Sequence, residues 1–128
     1  MSFGREYKTK NARIESASIR FDRGCFLSVW LGLSYGGGGQ GFGGYVLGAK
    51  TNDGIKADAA NREGFAALFI VRVMEIAGVD DWSELVGKTI RAESNSSNVR
   101  GIGHILKDDW FYPEEEFKRI QQPPLEGE

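Results

Sequence analysis

The stretch Cys25-Phe26-Leu27-Ser28-Val29-Trp30-Leu31-Gly32-Leu33-Ser34-Tyr35, running into Gly36-Gly37-Gly38-Gly39-Gln40-Gly41-Phe42-Gly43-Gly44, decides how this chain folds. In its first half Leu27, Val29, Leu31, Leu33 and Tyr35 alternate with Phe26, Ser28, Trp30, Gly32 and Ser34. Period-two alternation of this length has no helical explanation. It predicts a strand with a core face and a mixed face carrying Trp30 and Gly32. The second half concentrates glycine, which loses more conformational entropy on folding than any other residue. Two readings stay open. The segment is a mobile turn or bulged strand with Phe42 tucked into the core, or it is where backbone approaches a ligand or another chain. Tyr45-Val46-Leu47 reads as the short return strand of a hairpin.

Outward from this hairpin, Ala12 to Phe21 reads as a strand, joined to the first by the turn signal Asp22-Arg23-Gly24. Residues 1–11 are polar and expected to be flexible. Downstream, Asn52-Asp53-Gly54 is a turn signature. Then Phe65, Leu68, Phe69, Val73 and Ile76 recur at three- and four-residue steps, predicting a helix from about Asn61 to Ala77. Asn61 suits its N-cap and Gly78 its end. Ala66, Ile70, Val71 and Met74 make this helix apolar around much of its circumference, which suits a central position or an oligomer interface. Asp80 to Val86 predicts a short second helix closed by Gly87. Lys88–Glu93 and Val99–Leu106 form a second hairpin around Ser94-Asn95-Ser96-Ser97-Asn98. Pro113 before three glutamates fits the first turn of a C-terminal helix. The expected fold is therefore α+β: an antiparallel sheet built of hairpins with two packed helices plus a short C-terminal helix. Residues 12–112 form its single domain, and residues 113–128 the last helix and a disordered tail.

With 128 residues, the chain accommodates one core. A formal net charge of −2 and a pI near 5.5 argue against duplex DNA as a partner. A lone cysteine, Cys25, excludes an intramolecular disulfide and reads as a buried, inert thiol. The N-terminus lacks a signal-peptide pattern, and the longest apolar run, Phe65 to Ala77, is interrupted by Arg72 and Glu75. A cytoplasmic protein without a membrane partner is expected.

Gly39, Gly41 and Gly44 spell G-x-G-x-x-G, but a dinucleotide fold needs that motif to open a helix, and here it opens onto a strand. No Lys-Ser or Lys-Thr follows, which removes the triphosphate loop as well. What survives is a run of bare N–H groups able to cradle an anion, with Gln40 as polar reader and Phe42 as stacking face. A single histidine, His104, and a single cysteine give no metal-ligand spacing. His104, flanked by Ile102, Ile105 and Leu106, reads as a hydrogen-bonded structural residue. No catalytic residue, metal or cofactor is put forward. Arg91, Arg100, Lys107, Trp110, Phe111 and Tyr112 interleave cations with rings, either as a nucleotide surface or as a solvated sheet face capped by aromatics.

These residues also carry a resemblance. Arg13-Ile14-Glu15-Ser16, the segment from Tyr35 to Tyr45, Gly78-Val79-Asp80-Asp81-Trp82 and the run Ile102 to Phe111 together resemble a family of small phage and prophage proteins. It is similar to the first-type Thoeris anti-defence proteins over about Ala12 to Phe111, most specifically in the glycine segment. The resemblance implies a non-enzymatic sponge that binds cyclic ADP-ribose isomers, and in some members cyclic oligonucleotides, and holds them intact. It also implies a homo-oligomer, dimer or higher, acting in an infected bacterial cell. The ligand-binding residues expected on this reading are Gly39, Gln40, Gly41, Phe42, Arg91, Asn95, Arg100, Gly101, His104 and Trp110. The alternative is a phage-encoded nucleic-acid-binding or protein-interaction module.

Overall fold

A computed structural model describes residues 6–22, 26–45, 47–51, 54–56 and 62–121. Its elements are β1 (Lys8–Asp22), β2 (Phe26–Ser34), β3 (Gly39–Gly43), β4 (Gly48–Thr51), β5 (Gly54–Lys56), α1 (Arg62–Ala77), a 3-10 turn (Trp82–Glu84), β6 (Thr89–Ser94), β7 (Val99–Gly103), β8 (Trp110–Phe111) and α2 (Pro113–Gln121). The strands form one antiparallel sheet in the order β5-β4-β2-β1-β6-β7-β8, with β3 also paired to β2. The α+β architecture expected from the sequence is the one observed.

β1 is the spine. Its first half pairs with β6, from Lys8 opposite Ser94 to Arg13 opposite Thr89. Its second half pairs with β2, from Arg13 opposite Ser34 to Asp22 opposite Phe26. Between them Ile14 faces Leu33 and Ser16 faces Gly32, so Glu15 is an extra, bulged residue. A bulge bends its strand and increases local twist, and here it divides the two pairings. The polar segment before Ala12 is thus partly strand: Lys8 to Asn11 belong to the β6 pairing.

The alternation of β2 is realised as expected. Val29, Leu31 and Leu33 are buried, and Leu31 lies opposite Phe42 on the same inner face. α1 covers that face with Phe65, Phe69, Val73 and Ile76, all buried. Phe42 stacks on Phe69 with centroids 5.8 Å apart and meets Phe111 edge-on at 6.5 Å. Ile14, Ile90, Ala92 and Ile102 complete the core. α2 seals one end through Phe117, 4.7 Å from Phe65. The opposite side of α1 leaves Val71 51% exposed, as a helix apolar all round would. α1 ends in a Schellman turn at Gly78 (φ +73°), where Gly78 and Val79 N–H groups both donate to Met74 O.

Three expectations are corrected. Neither Tyr45 nor Leu47 lies in a strand: Gly43 and Gly44 take φ of +124° and +78°, and the ladder ends at Gly43. Gly44 N–H still donates to Val29 O, and Leu47 N–H to Leu27 O, so the chain stays laced to β2 until β4 resumes. The second helix is only a 3-10 turn, capped by Asp81 and Glu84 in a reciprocal box. β7 stops at Gly103, leaving His104 in a loop. Gly54 of the turn signal opens β5, which pairs with β4, while Asn52 and Asp53 lie outside the described residues. Cys25, Asn61, Val46 and the C-terminal tail lie outside the described residues. Among the described residues no helix is long and apolar enough to cross a membrane.

Candidate functional site

A cleft of about 540 Å³ opens between β3 and the β6–β7 turn. One wall is Trp30, Gln40, Gly41, Gly43, Gly44 and Tyr45; the other is Ser96, Ser97, Asn98 and Val99, and Glu114 of α2 closes one side. The phase of the β2–β3 ladder explains the glycine wall. Tyr35 N–H donates to Gly38 O and Gly44 N–H to Val29 O. Hydrogen-bonded pairs alternate along an antiparallel ladder, so Gln40 and Phe42 bond β2. Gly39, Gly41 and Gly43 turn their N–H and C=O groups to the other edge, where β3 has no strand partner among the described residues. That edge is backbone without side chains, facing the cleft.

The same glycines seat an aromatic ring. Trp30 lies opposite Gly43, and its indole lies against Gly41 and Gly44. A Cβ at Gly41 would stand 3.1 Å from Trp30 Cζ3, and one at Gly44 only 2.3 Å from Cζ2. Only glycine lets the ring lie this close to the backbone.

The opposite wall is held by Asn95. Its Oδ1 accepts from Ser97 N–H at 2.8 Å and Asn98 N–H at 2.9 Å, an Asx-type turn. Gln40 ties the walls together: its Oε1 accepts from the Tyr35 hydroxyl at 2.6 Å and its Nε2 donates to Asn95 O at 2.8 Å. Burial above all, and then the charge of Glu114 and the neighbouring Tyr7, push the Tyr45 hydroxyl up to about 12. Tyr45 therefore stays a neutral donor at physiological pH. The cleft offers bare amides, serine hydroxyls, a phenol and an indole at one site, with the Glu114 carboxylate as a strong acceptor.

A second group of residues lies on the outer face of β6, β7 and β8, and none of them lines the cleft. Arg91 lies opposite Gly103, which lies opposite Trp110; Glu93 lies opposite Gly101. Trp110 leans onto Gly103 and Tyr112 onto Gly101, where added Cβ atoms would sit 2.6 Å and 2.4 Å from the rings. Arg91 stacks over Trp110 at 4.8 Å, and its Nε and Nη2 donate to His104 O and Lys107 O. Arg100 is the extra residue of a bulge, since Glu93 faces Gly101 and Ser94 faces Val99. Its guanidinium pairs with Glu93 and lies 4.0 Å over the Tyr7 ring. Burial works to raise the Glu93 pKa, but hydrogen bonds from Tyr112 and Arg100 outweigh it and hold the carboxyl below its ordinary range.

The expected site residues thus separate. Gln40 and Gly41 line the cleft, Gly39 lies on the same open edge, and Asn95 shapes the facing turn. Phe42 is corrected: fully buried between Phe69 and Phe111, it has no face for a ligand. Arg91, Arg100, Gly101 and Trp110 form the outer-face group instead of converging with the glycines. His104 is structural: its Nδ1 accepts from Leu106 and Lys107 N–H groups, both at 3.0 Å. Trp30, Tyr45, Ser96, Ser97, Asn98 and Glu114 were not singled out as ligand residues. For Trp30 the signal was available, as a large ring on the mixed face of a strand beside glycines. Among the described residues no cluster of three His, Cys, Asp or Glu is placed to hold a metal. Comparison with protein-family models, with curated proteins and with solved structures found no match.

Proposed function

We propose that the chain captures a cyclic nucleotide signal in the cleft beside β3 and holds it intact, as a phage anti-defence sponge. The supporting observation is the open glycine edge itself: Gly41 and Gly43 direct backbone N–H groups toward a cleft walled by Trp30. Oriented amides suit phosphate, an indole suits a base, and hydroxyls suit ribose. Small-ligand sites typically measure about 300–1,000 Å³, and this cleft falls in that range. The motif resemblance to the first-type Thoeris anti-defence proteins supplies the ligand class, cyclic ADP-ribose isomers with cyclic oligonucleotides second. On this reading the protein is a homo-oligomer without catalytic activity, and exposed Val71 on α1 belongs to the contact between copies.

Calorimetry against a panel of cyclic ADP-ribose isomers and cyclic oligonucleotides tests the reading, with mass spectrometry of ligand recovered after heating. Saturable heat with recovery of unaltered ligand supports it. Turnover of any panel member, or no heat with all of them, overturns it. Light scattering on the same sample reads the oligomeric state.

A further inference from the structure

The outer face of β6–β8 is built as carefully as the cleft, yet the proposed capture does not use it. Trp110 and Tyr112 lie two residues apart on the same edge of the sheet. Their rings are nearly parallel, 13° between planes, with centroids 6.1 Å apart. Each rests on a glycine of β7, so the pair is held against the backbone. Guanidinium groups flank it: Arg91 over Trp110, and Arg100 beside Glu93 and over Tyr7. Both are held by bonds that leave Nη1 without an intramolecular partner among the described residues. The Arg100 side chain is 50% exposed. α1 packs on the inner side through Phe69 against Phe42 and Phe111, and α2 packs on α1 through Phe117.

We propose that this face binds single-stranded nucleic acid, about two nucleotides of it, separately from the cleft. Bases stack on aromatic rings and on guanidinium planes, and sheet-borne aromatics commonly hold two or three bases of a single strand. Here the Tyr112 ring and the Arg91–Trp110 stack supply two neighbouring positions, on rings whose centroids are 6.1 Å apart. Arg91 and Arg100 meet the phosphates through their remaining N–H groups. The carboxylate beside the two rings, Glu93, is already bonded by Tyr112 and Arg100, so it is not an acceptor held open for a sugar hydroxyl. Duplex DNA is disfavoured because its bases are stacked within the helix and the chain is net acidic.

The test is an anisotropy titration of a labelled ten-nucleotide deoxythymidine strand with the full chain at several salt concentrations. Two phosphate contacts predict a log–log salt slope of roughly −1.4. Arg100→Gln is expected to weaken binding at least fivefold and flatten the slope. Arg100→Lys, which keeps the charge without the plane, gives an intermediate loss and replaces R100Q if that variant does not melt cooperatively. Saturating cyclic nucleotide leaves the titration unchanged. No anisotropy change at 50 mM salt, equal binding by wild type and the Arg100 variants, or tighter binding of a duplex of the same length overturns the proposal.

Discussion

The Trp30 indole rests on Gly44 so closely that a methyl group there would meet its Cζ2 at 2.3 Å. Gly44 also holds φ at +78°, a conformation that L side chains rarely adopt. Gly44→Ala therefore meets both a strained backbone and a displaced ring. A loss of about 2–5 kcal/mol is expected, since αL strain is worth about 1–2 kcal/mol and overpacking about 1–3. Chemical denaturation reads it. Gly37→Ala, where nothing lies within 4 Å, should stay within about 0.5 kcal/mol of wild type.

Phe42 and Gln40 are neighbours that separate stability from binding. Phe42→Ala empties a fully buried site beside Phe69 and Phe111 and is expected to cost about 3–5 kcal/mol. Gln40→Ala removes the link between Tyr35 and Asn95 across the cleft and should cost about 1 kcal/mol of stability. Its larger effect falls on capture, with cyclic-nucleotide affinity reduced about tenfold by calorimetry. Wild-type affinity in Q40A would remove the cleft from the binding site.

Arg72 clasps α1 to the start of β8. It donates to Asp109 at 2.7 Å, to Trp110 O at 3.1 Å and to Glu75 at 2.6 Å, with its side chain 19% exposed. Arg72→Met keeps the packing and loses the bonds, for an expected cost of about 1–2 kcal/mol, limited by solvent screening at the half-exposed carboxylates. The Arg72 hydrogen bond holds Asp109 below the usual carboxylate range. A depressed acid stabilises the fold above its unfolded pKa and loses that contribution as pH falls through the folded one. Wild type should thus lose more stability than R72M on acidification below about pH 4, read by melting temperature.

Tyr45 and Tyr112 are both pushed up to about 12, each chiefly by burial, with Tyr112 further held neutral by its hydrogen bond to Glu93. A raised pKa means the stabilisation is complete below the unfolded value of about 10 and fades as pH rises through 12. Alkaline destabilisation is expected in that window. Absorbance at 295 nm should show late-titrating tyrosine, part of which disappears in Tyr45→Phe and part in Tyr112→Phe. A variant that leaves the late phase intact would show that its hydroxyl is not held as described.

Local pattern was enough to determine the strand character and core face of β2, the long helix with its Gly78 stop, the second hairpin and the antiparallel α+β class. These follow from side-chain period and glycine or proline punctuation, which act within a few residues. Phe42 shows where local pattern ends. Beside Gln40 and seven glycines it reads equally as a stacking face or a core residue, and the antiparallel pairing that sets it opposite Leu31 decides for the core. Gly41 belongs to the strand pair before α1, and Arg91 and Arg100 to the hairpin after it. Only the path of β1, paired with β6 at one end and β2 at the other, places them on a face the cleft does not include. The glycine segment itself was legible as a close-approach surface, but what approaches it was not. Tertiary structure supplied that answer: the Trp30 indole on one side and an open edge of backbone amides on the other, because contacts between distant segments depend on register and curvature that no local window contains.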